Sequence, residues 1–465
     1  GPLRLWALDA STAARMLPSL REAGRIDVVQ PVVGYDGAAV GALATDPLYA
    51  DEWWRAEVGI EGLTPPGPGI PVTIVDSGVD FTHPEFAGRP DFLALNEQEP
   101  QPVGGEHGTA VASVVGAPVN GAGLVGIYPE AALRSWDAAK GQGTRLDTIE
   151  IVNGILAAAR AGRGVVNLSL GADSKDLAIE LAVSEAVSLG TLVVAASGND
   201  GDAGNPLGYP ASLPHVVTVG ATDRTGAVAP FSSRSNYVDV VAPGDDIPVA
   251  SALGRNWRAS SGTSFASPIV AGAAAWLWTV RPELDAGQVA EVIRRSARDI
   301  GAPGRDNESG FGIVDVARAL AYPTPIPDPG EPNDDTDEVD PAGERVFSTY
   351  GPLTTKSKRR AAVSARVDRY EDPRDVYRVW LPARRTVSVS ITATTDADLA
   401  LYRSGTPTVV GRFAADTRLA LGRLRGRTDR LSFANGATGR WAYLAVNLPK
   451  GVVDATYRLT VSAPA

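Results

Sequence analysis

The sequence predicts an α/β chain: a doubly wound, mostly parallel sheet followed by a smaller antiparallel β-sandwich. Three observations carry this. Between residues 148 and 244 helical and strand patterns alternate, and βαβ alternation builds parallel sheets. The strands are short apolar runs such as Val72-Thr73-Ile74-Val75 and Leu192-Val193-Val194, the pattern of strands buried on both faces. After a Pro-rich acidic stretch at 323–341, period-two alternation replaces helical spacing.

At 465 residues the chain is long enough for two or three domains. A 44% hydrophobic and 21% charged composition describes a well-cored globular protein. The net charge of −11 argues against a nucleic-acid partner and against anionic membranes. With no cysteine, thiol catalysis, disulfides and Cys-based zinc sites are excluded. No apolar run reaches 18 residues; Pro268 to Val280 ends at Arg281 and reads as a core helix, not a membrane span. No secretory leader pattern opens the sequence, so Gly1-Pro2 reads as a trimmed start.

Taken in order, residues 3–31 read as strand, helix, strand, with Gly24 stopping the helix. Residues 32–47, with Gly34, Gly37 and Gly41, form a loose and accessible tail. Asp51-Glu52-Trp53-Trp54 opens a new packed unit, and Pro65 to Gly69 is a stiff lead-in to the first buried strand. That strand ends at Asp76, a carboxylate where open α/β sheets place their sites. Further on, Gly104-Gly105-Glu106-His107-Gly108-Thr109 brings a histidine into a helix of small residues. Of three histidines, His83 sits in a Pro84 turn and reads as structural, and His215 as a loop residue; only His107 is framed like a functional group.

Helices over 149–161 and 176–189 alternate with strands at 165–170, 192–197, 216–221 and 238–241. Helices at 284–299 and 313–320 close the unit. The domains expected are a tail over 1–47, a catalytic unit over 48–322, a linker over 323–341 and a sandwich over 342–465. The linker, carrying Asp328, Glu331, Asp334, Asp335, Asp337, Glu338 and Asp340, is expected to let the two units move independently. A chain ending near Tyr322 would then keep its activity. Sandwich strands are expected at 375–381, 386–392, 399–402, 441–446 and 457–461.

One stretch organises the chain: Ser261-Gly262-Thr263-Ser264-Phe265-Ala266-Ser267-Pro268, entering an Ala-rich helix. Its turn delivers Ser264 to a helix start, where free N–H groups and the dipole favour a developing oxyanion. Alone, Ser264 reads better as a helix cap. With Asp76 and His107 it supplies a nucleophile, a base and an orienting carboxylate, the needs of acyl transfer.

The motifs Ile74-Val75-Asp76-Ser77-Gly78, His107-Gly108-Thr109 and Gly262-Thr263-Ser264-Phe265-Ala266-Ser267-Pro268 resemble those of the subtilisin-like serine proteases, in the family's own order. The resemblance covers roughly residues 50–320. It implies a secreted, bacterial, cell-surface or periplasmic serine endopeptidase acting on protein or peptide substrates, with Asp76, His107 and Ser264 as triad. Asn199 and the Ser264 backbone N–H match the oxyanion hole. Ser169-Leu170-Gly171 and Ala195-Ala196-Ser197-Gly198 match the walls of the first specificity pocket, roomy and uncharged, hence a broad or hydrophobic preference. Phe265 stands where the family usually has Met, and Ala110 replaces a commoner His.

Residues 3–31 resemble the second half of the family's propeptide. This implies a zymogen in which the N-terminal segment inhibits its own enzyme until cut within 32–50. Residues 330–462 resemble the bacterial pre-peptidase C-terminal domain, through Glu331-Pro332-Asn333-Asp334, Asp375-Val376-Tyr377 and Asp398-Leu399-Ala400-Leu401-Tyr402. No cofactor is required for the chemistry; structural Ca²⁺ could be held by the acidic run 328–340, which reads otherwise as solvated linker. An esterase shares the triad logic, but its nucleophile sits in Gly-x-Ser-x-Gly with another triad order. A catalytically idle binding scaffold would have lost at least one of Asp76, His107, Asn199 and Ser264.

Overall fold

The computed structural model describes residues 46–98, 106–139, 145–342 and 351–463. The readings made for residues 3–31 and 32–45 lie outside them. From Asp46 onward the chain packs on the catalytic unit: the Leu48 N–H donates to the Gly123 carbonyl, and Asp46 and Glu52 are buried.

The catalytic unit runs α1 (Trp54–Glu57), β1 (Val72–Asp76), β2 (Phe92–Ala94), α2 (Glu106–Gly116), β3 (Leu133–Asp137), α3 (Thr148–Arg160), β4 (Val165–Leu168), α4 (Leu177–Ser188), β5 (Leu192–Ala196), β6 (Val216–Thr222) and β7 (Val240–Pro243). A hairpin, β8 (Ile247–Ser251) and β9 (Asn256–Ser260), leads into α5 (Thr263–Val280), α6 (Ala286–Ser296) and α7 (Val316–Ala321). The seven strands β1–β7 form one parallel sheet in the order β2-β3-β1-β4-β5-β6-β7.

Alternation along β1 shows why the sheet is apolar on both sides. Val72 and Ile74 join the core under α2 and α5, and Val75 joins the opposite one under α3. The expected core helix is α5, long and apolar enough to cross a membrane but almost wholly buried in protein. The chain leaves β1 for β2 and β3 on one side and for β4 to β7 on the other. A crevice therefore opens at the C-terminal ends of β1 and β4, the switch point of the topology.

The C-terminal unit is a sandwich of two antiparallel four-stranded sheets. Its elements are α8 (Thr336–Val339), β10 (Arg360–Asp368), β11 (Arg374–Leu381), β12 (Thr386–Ala393), β13 (Asp398–Arg403), α9 (Gly411–Thr417), β14 (Arg418–Gly422), β15 (Thr428–Ala434), β16 (Arg440–Asn447) and β17 (Asp454–Ser462). One sheet is β10-β17-β12-β15, the other β11-β16-β13-β14. Strand β12 alternates exposed and buried residues along its whole length, so Val387, Val389 and Ile391 enter the core between the sheets.

The expectation of a free linker is overturned. Asp335 accepts from the Val409 N–H at 2.7 Å, Asp340 accepts from the Tyr443 hydroxyl, and Asn333 and Thr336 are buried. Across the seam between the units, Arg294 of α6 is buried 3.6 Å from Glu371 of the sandwich and 3.6 Å from Asp239. Arg366 of β10 reaches Glu291, Arg295 reaches Asp454, and the His215 N–H donates to the Glu371 carbonyl at 2.9 Å. Charges that looked solvated in sequence find partners far away in the chain.

Candidate active site

Asp76 ends β1, His107 is the second residue of α2, and Ser264 the second of α5. Both oxygens of the buried Asp76 carboxylate lie close to His107 Nδ1, at 2.8 and 3.0 Å. The pairing fixes the ring: Nδ1–H donates to the carboxylate, so Nε2 is left as the basic nitrogen. The Ser77 N–H donates to Asp76 Oδ1 at 2.7 Å, and Gly108 N–H donates to Ser77 Oγ at 3.1 Å. Gly108 is required here, because a Cβ on it would stand 2.1 Å from the Gly78 carbonyl oxygen. Burial of His107 disfavours its charged form, but the Asp76 charge and hydrogen bond outweigh it and hold the pKa above the ordinary 6.5.

Ser264 is not a cap. The N-cap of α5 is Gly262, with φ 149° and ψ 155°, and it makes no side-chain cap bond; that backbone region is nearly exclusive to glycine. Asn199, from the loop after β5, takes over the capping: its Oδ1 accepts from the Thr263 N–H at 2.9 Å and the Thr263 hydroxyl at 3.0 Å. With Oδ1 committed, the amide's Nδ2 is the end left to donate.

A second device holds the serine, and the sequence reading missed it. Pro268 has no N–H to return to the carbonyl of Ser264, four residues back. Ser169 Oγ donates to that carbonyl instead, at 2.8 Å, and itself accepts from Asn167 Nδ2 at 3.0 Å. Asn167 Oδ1 accepts from Ser267 Oγ at 2.7 Å, so the end of β4 is bolted to the first turn of α5. The signal available in sequence was the polar pair Asn167 and Ser169 in an apolar strand. The Ser264 hydroxyl makes only a 3.5 Å contact with the Ser169 carbonyl, weak enough to leave its proton available. Phe265 lies with its ring 6.0 Å from that of His107.

A cleft of about 470 Å³ opens beside Asp76 and His107. Ser169, Leu170 and Gly171 line it. Leu146, Thr148, Ile151, Ile179 and Leu213 line it as well. Ala195, Ala196 and Ser197 are buried and do not line this cleft; Gly198 is half-buried and Asn199 exposed beyond them. His83 is buried and structural, its Nδ1 accepting from the Glu85 N–H and its Nε2 donating to the Asn256 carbonyl, both at 3.1 Å.

Away from the cleft, Asp328, Glu331, Asp372 and Asp375 gather with ligand oxygens all within 4.8 Å of one another. Asp372 and Asp375 are buried; both oxygens of Asp372 and one each of Asp328 and Asp375 have no hydrogen-bond partner. Burial pushes Asp328 up to about 6, and burial together with the neighbouring carboxylates holds Glu331, Asp372 and Asp375 well above the usual range. Arg366 lies 3.9 Å from Asp328 and His215 3.6 Å from Glu331, but the four carboxyls outnumber them, and converging hard oxygen donors suit a divalent metal such as Ca²⁺.

Asp76 and His107 line the cleft, and Ser264 lies against Ser169 of its wall, an arrangement that suits a serine peptidase. A family model described as the subtilase family matches residues 67–312, and one described as the bacterial pre-peptidase C-terminal domain matches 373–448. The minor extracellular protease Epr of Bacillus subtilis is 34% identical over 269 residues, 58% of this chain and 40% of that protein. The subtilisin of Bacillus pumilus is 36% identical over 258 residues, 54% of this chain and 91% of the relative. A solved protease structure from Pseudoalteromonas arctica aligns at a TM-score of 0.50 and 25% identity, over 60% of this chain and 98% of that one. The chain belongs to the subtilase family, the subtilisin-like serine peptidases. It spans 40% of the length of Epr and 66% of that of subtilisin E.

Proposed function

We propose that the chain is a secreted serine endopeptidase. The observation that carries this is the two-oxygen grip of Asp76 on His107 Nδ1, at 2.8 and 3.0 Å, beside the turn that presents Ser264. His107 Nε2 takes the Ser264 proton as Oγ attacks the scissile carbonyl, and Asp76 stabilises the imidazolium that forms. Asn199 Nδ2 and the Ser264 N–H hold the tetrahedral oxyanion. The imidazolium returns its proton to the leaving amine, and water, deprotonated by the same nitrogen, hydrolyses the acyl-enzyme. The apolar wall of Leu170, Ile151 and Ile179 favours substrates with a hydrophobic side chain at the cleft, in line with the broad preference expected. Secretion rests on likeness to extracellular relatives such as Epr.

A fluorophosphonate probe should label the protein at Ser264, and Ser264→Ala should lose both the label and peptide hydrolysis. A folded wild-type protein that takes no label would leave the idle scaffold as the better reading.

Structural Ca²⁺ belongs to this proposal, held by Asp328, Glu331, Asp372 and Asp375 at the junction of linker and sandwich and not in the reaction. The inhibitory role of the N-terminal segment is tested separately, by N-terminal sequencing of wild-type and Ser264→Ala protein. Cleavage within 32–50 in the wild type alone supports it; an intact N-terminus on fully active enzyme removes it.

A further inference from the structure

The net charge conceals an opposition between the two units. Residues 351–465 carry 20 Lys and Arg against nine Asp and Glu, a net of +11, in a chain whose total is −11. Five of those nine acids, Asp368, Glu371, Asp372, Asp375 and Asp429, are buried, so the sandwich surface is more basic still.

The outer face of the β10-β17-β12-β15 sheet is where this charge meets a regular surface. Register places Ser364, Arg458, Thr392 and Thr428 in one row across the four strands. The next row is Ala362, Thr460, Ser390 and Arg430, and the third Arg360, Ser462, Ser388 and Ser432. These three rows hold eight Ser and Thr hydroxyls, one alanine and three guanidinium groups, with no carboxylate and no aromatic ring. Arg360, Arg430 and Arg458 are exposed and have no ion-pair partner among the described residues. The face begins at the seam with the catalytic unit, where Arg366 and Asp454 engage Glu291 and Arg295.

We propose that this face docks an acidic polysaccharide, holding the peptidase on an anionic carbohydrate matrix. Rows about 7 Å apart and strands about 4.8 Å apart make a flat grid roughly 14 Å across. Hydroxyls that both donate and accept suit sugar hydroxyls, and each guanidinium fork suits a carboxylate or sulfate. A single-stranded nucleic acid needs aromatic platforms for its bases, which the face lacks. A bilayer needs apolar side chains to insert, and it offers none.

The test uses the full chain and immobilised polygalacturonate, with dextran, an oligodeoxynucleotide and phosphatidylglycerol vesicles as comparisons. Retention on polygalacturonate at low salt, release by added salt and no retention on dextran are expected. The triple variant Arg360→Ser, Arg430→Ser, Arg458→Ser should bind at least about tenfold more weakly while hydrolysing small peptides at the wild-type rate. The same positions changed to Lys should recover most of the binding. Arg318→Ser, Arg403→Ser, Arg412→Ser, which removes equal charge from elsewhere, should change it little. Equal loss in both triple variants would reduce the effect to bulk charge and overturn the site. Absence of polygalacturonate binding, or tighter binding to the oligonucleotide or the vesicles, would overturn the occupant.

Discussion

Ser264 owes its setting to a ring of neighbouring polar side chains. Asn199 caps Thr263, Ser169 replaces the hydrogen bond that Pro268 cannot make, and Asn167 ties Ser169 to Ser267. Each can be tested by substitution. Asn199→Ala should lower kcat by about 10² to 10³ with little change in KM, about 2.7–4 kcal/mol, the size known for the equivalent donor in a subtilisin. A loss carried by KM instead would place Asn199 in ground-state binding. As the proposed base, His107 should set the pH dependence. Its pKa is held above 6.5 by Asp76, and only the neutral ring accepts the serine proton. Activity should therefore rise with pH through a midpoint above 6.5, and kcat/KM measured across that range reads it directly. Stability runs the other way: the raised pKa contributes fully below about 6.5 and is lost as pH climbs through the folded value.

At the scale of elements, legibility followed how local the signal was. Strands β1, β4, β5 and β6 could be read because each is a mostly apolar run, and α3 and α4 because Asp147 and Asp176 cap them. Strand β3 escaped, since Leu133-Arg134-Ser135-Trp136-Asp137 mixes charge into a strand that is only alternately buried. Strand β15 escaped for a similar reason: Asp429 is buried in it, giving its side-chain oxygens to the Leu399 and Leu424 N–H groups. The triad motifs were legible as sequence, whereas the cleft wall of Leu146, Thr148 and Ile151 was not, because only the packing of α3 against the sheet brings it there. The acidic run was the largest misreading. Charge density suggested a solvated linker, but Asp328 and Glu331 turn inward to meet Asp372 and Asp375. Chelation should accordingly lower the melting temperature of the whole chain. Restoring Ca²⁺ at about 100 times its Kd should return about 2.7 kcal/mol. Asp372→Asn should abolish that response; an unchanged melting curve in chelator would exclude a stabilising metal there.

The whole molecule behaves as two joined units, not two tethered ones. Arg294 is buried among Asp239, Glu291 and Glu371, and Arg366 crosses the seam to Glu291. Burial opposes the charge of Arg294, yet the three carboxylates outweigh it and hold the guanidinium protonated. Removing one partner from such a group leaves a buried charge uncompensated, at about 3–5 kcal/mol. A chain ending at Tyr322 keeps Asp76, His107, Asn199 and Ser264 but strips Glu371 and Arg366 from the seam. It should melt well below the full chain, and the full chain should unfold in one transition by calorimetry. Two separate transitions, or an undiminished melting temperature after truncation, would restore the picture of independent domains.

The central claim, that Asp76, His107 and Ser264 act as one catalytic unit, is tested most directly by kcat on a peptide substrate for Ser264→Ala, His107→Ala and the double variant. Residues that share one proton transfer are grossly non-additive. Each single change should reduce kcat to nearly the level of the double, with the fold intact by circular dichroism. Losses that multiply in the double variant would mean that the two side chains contribute separately, and would contradict the account.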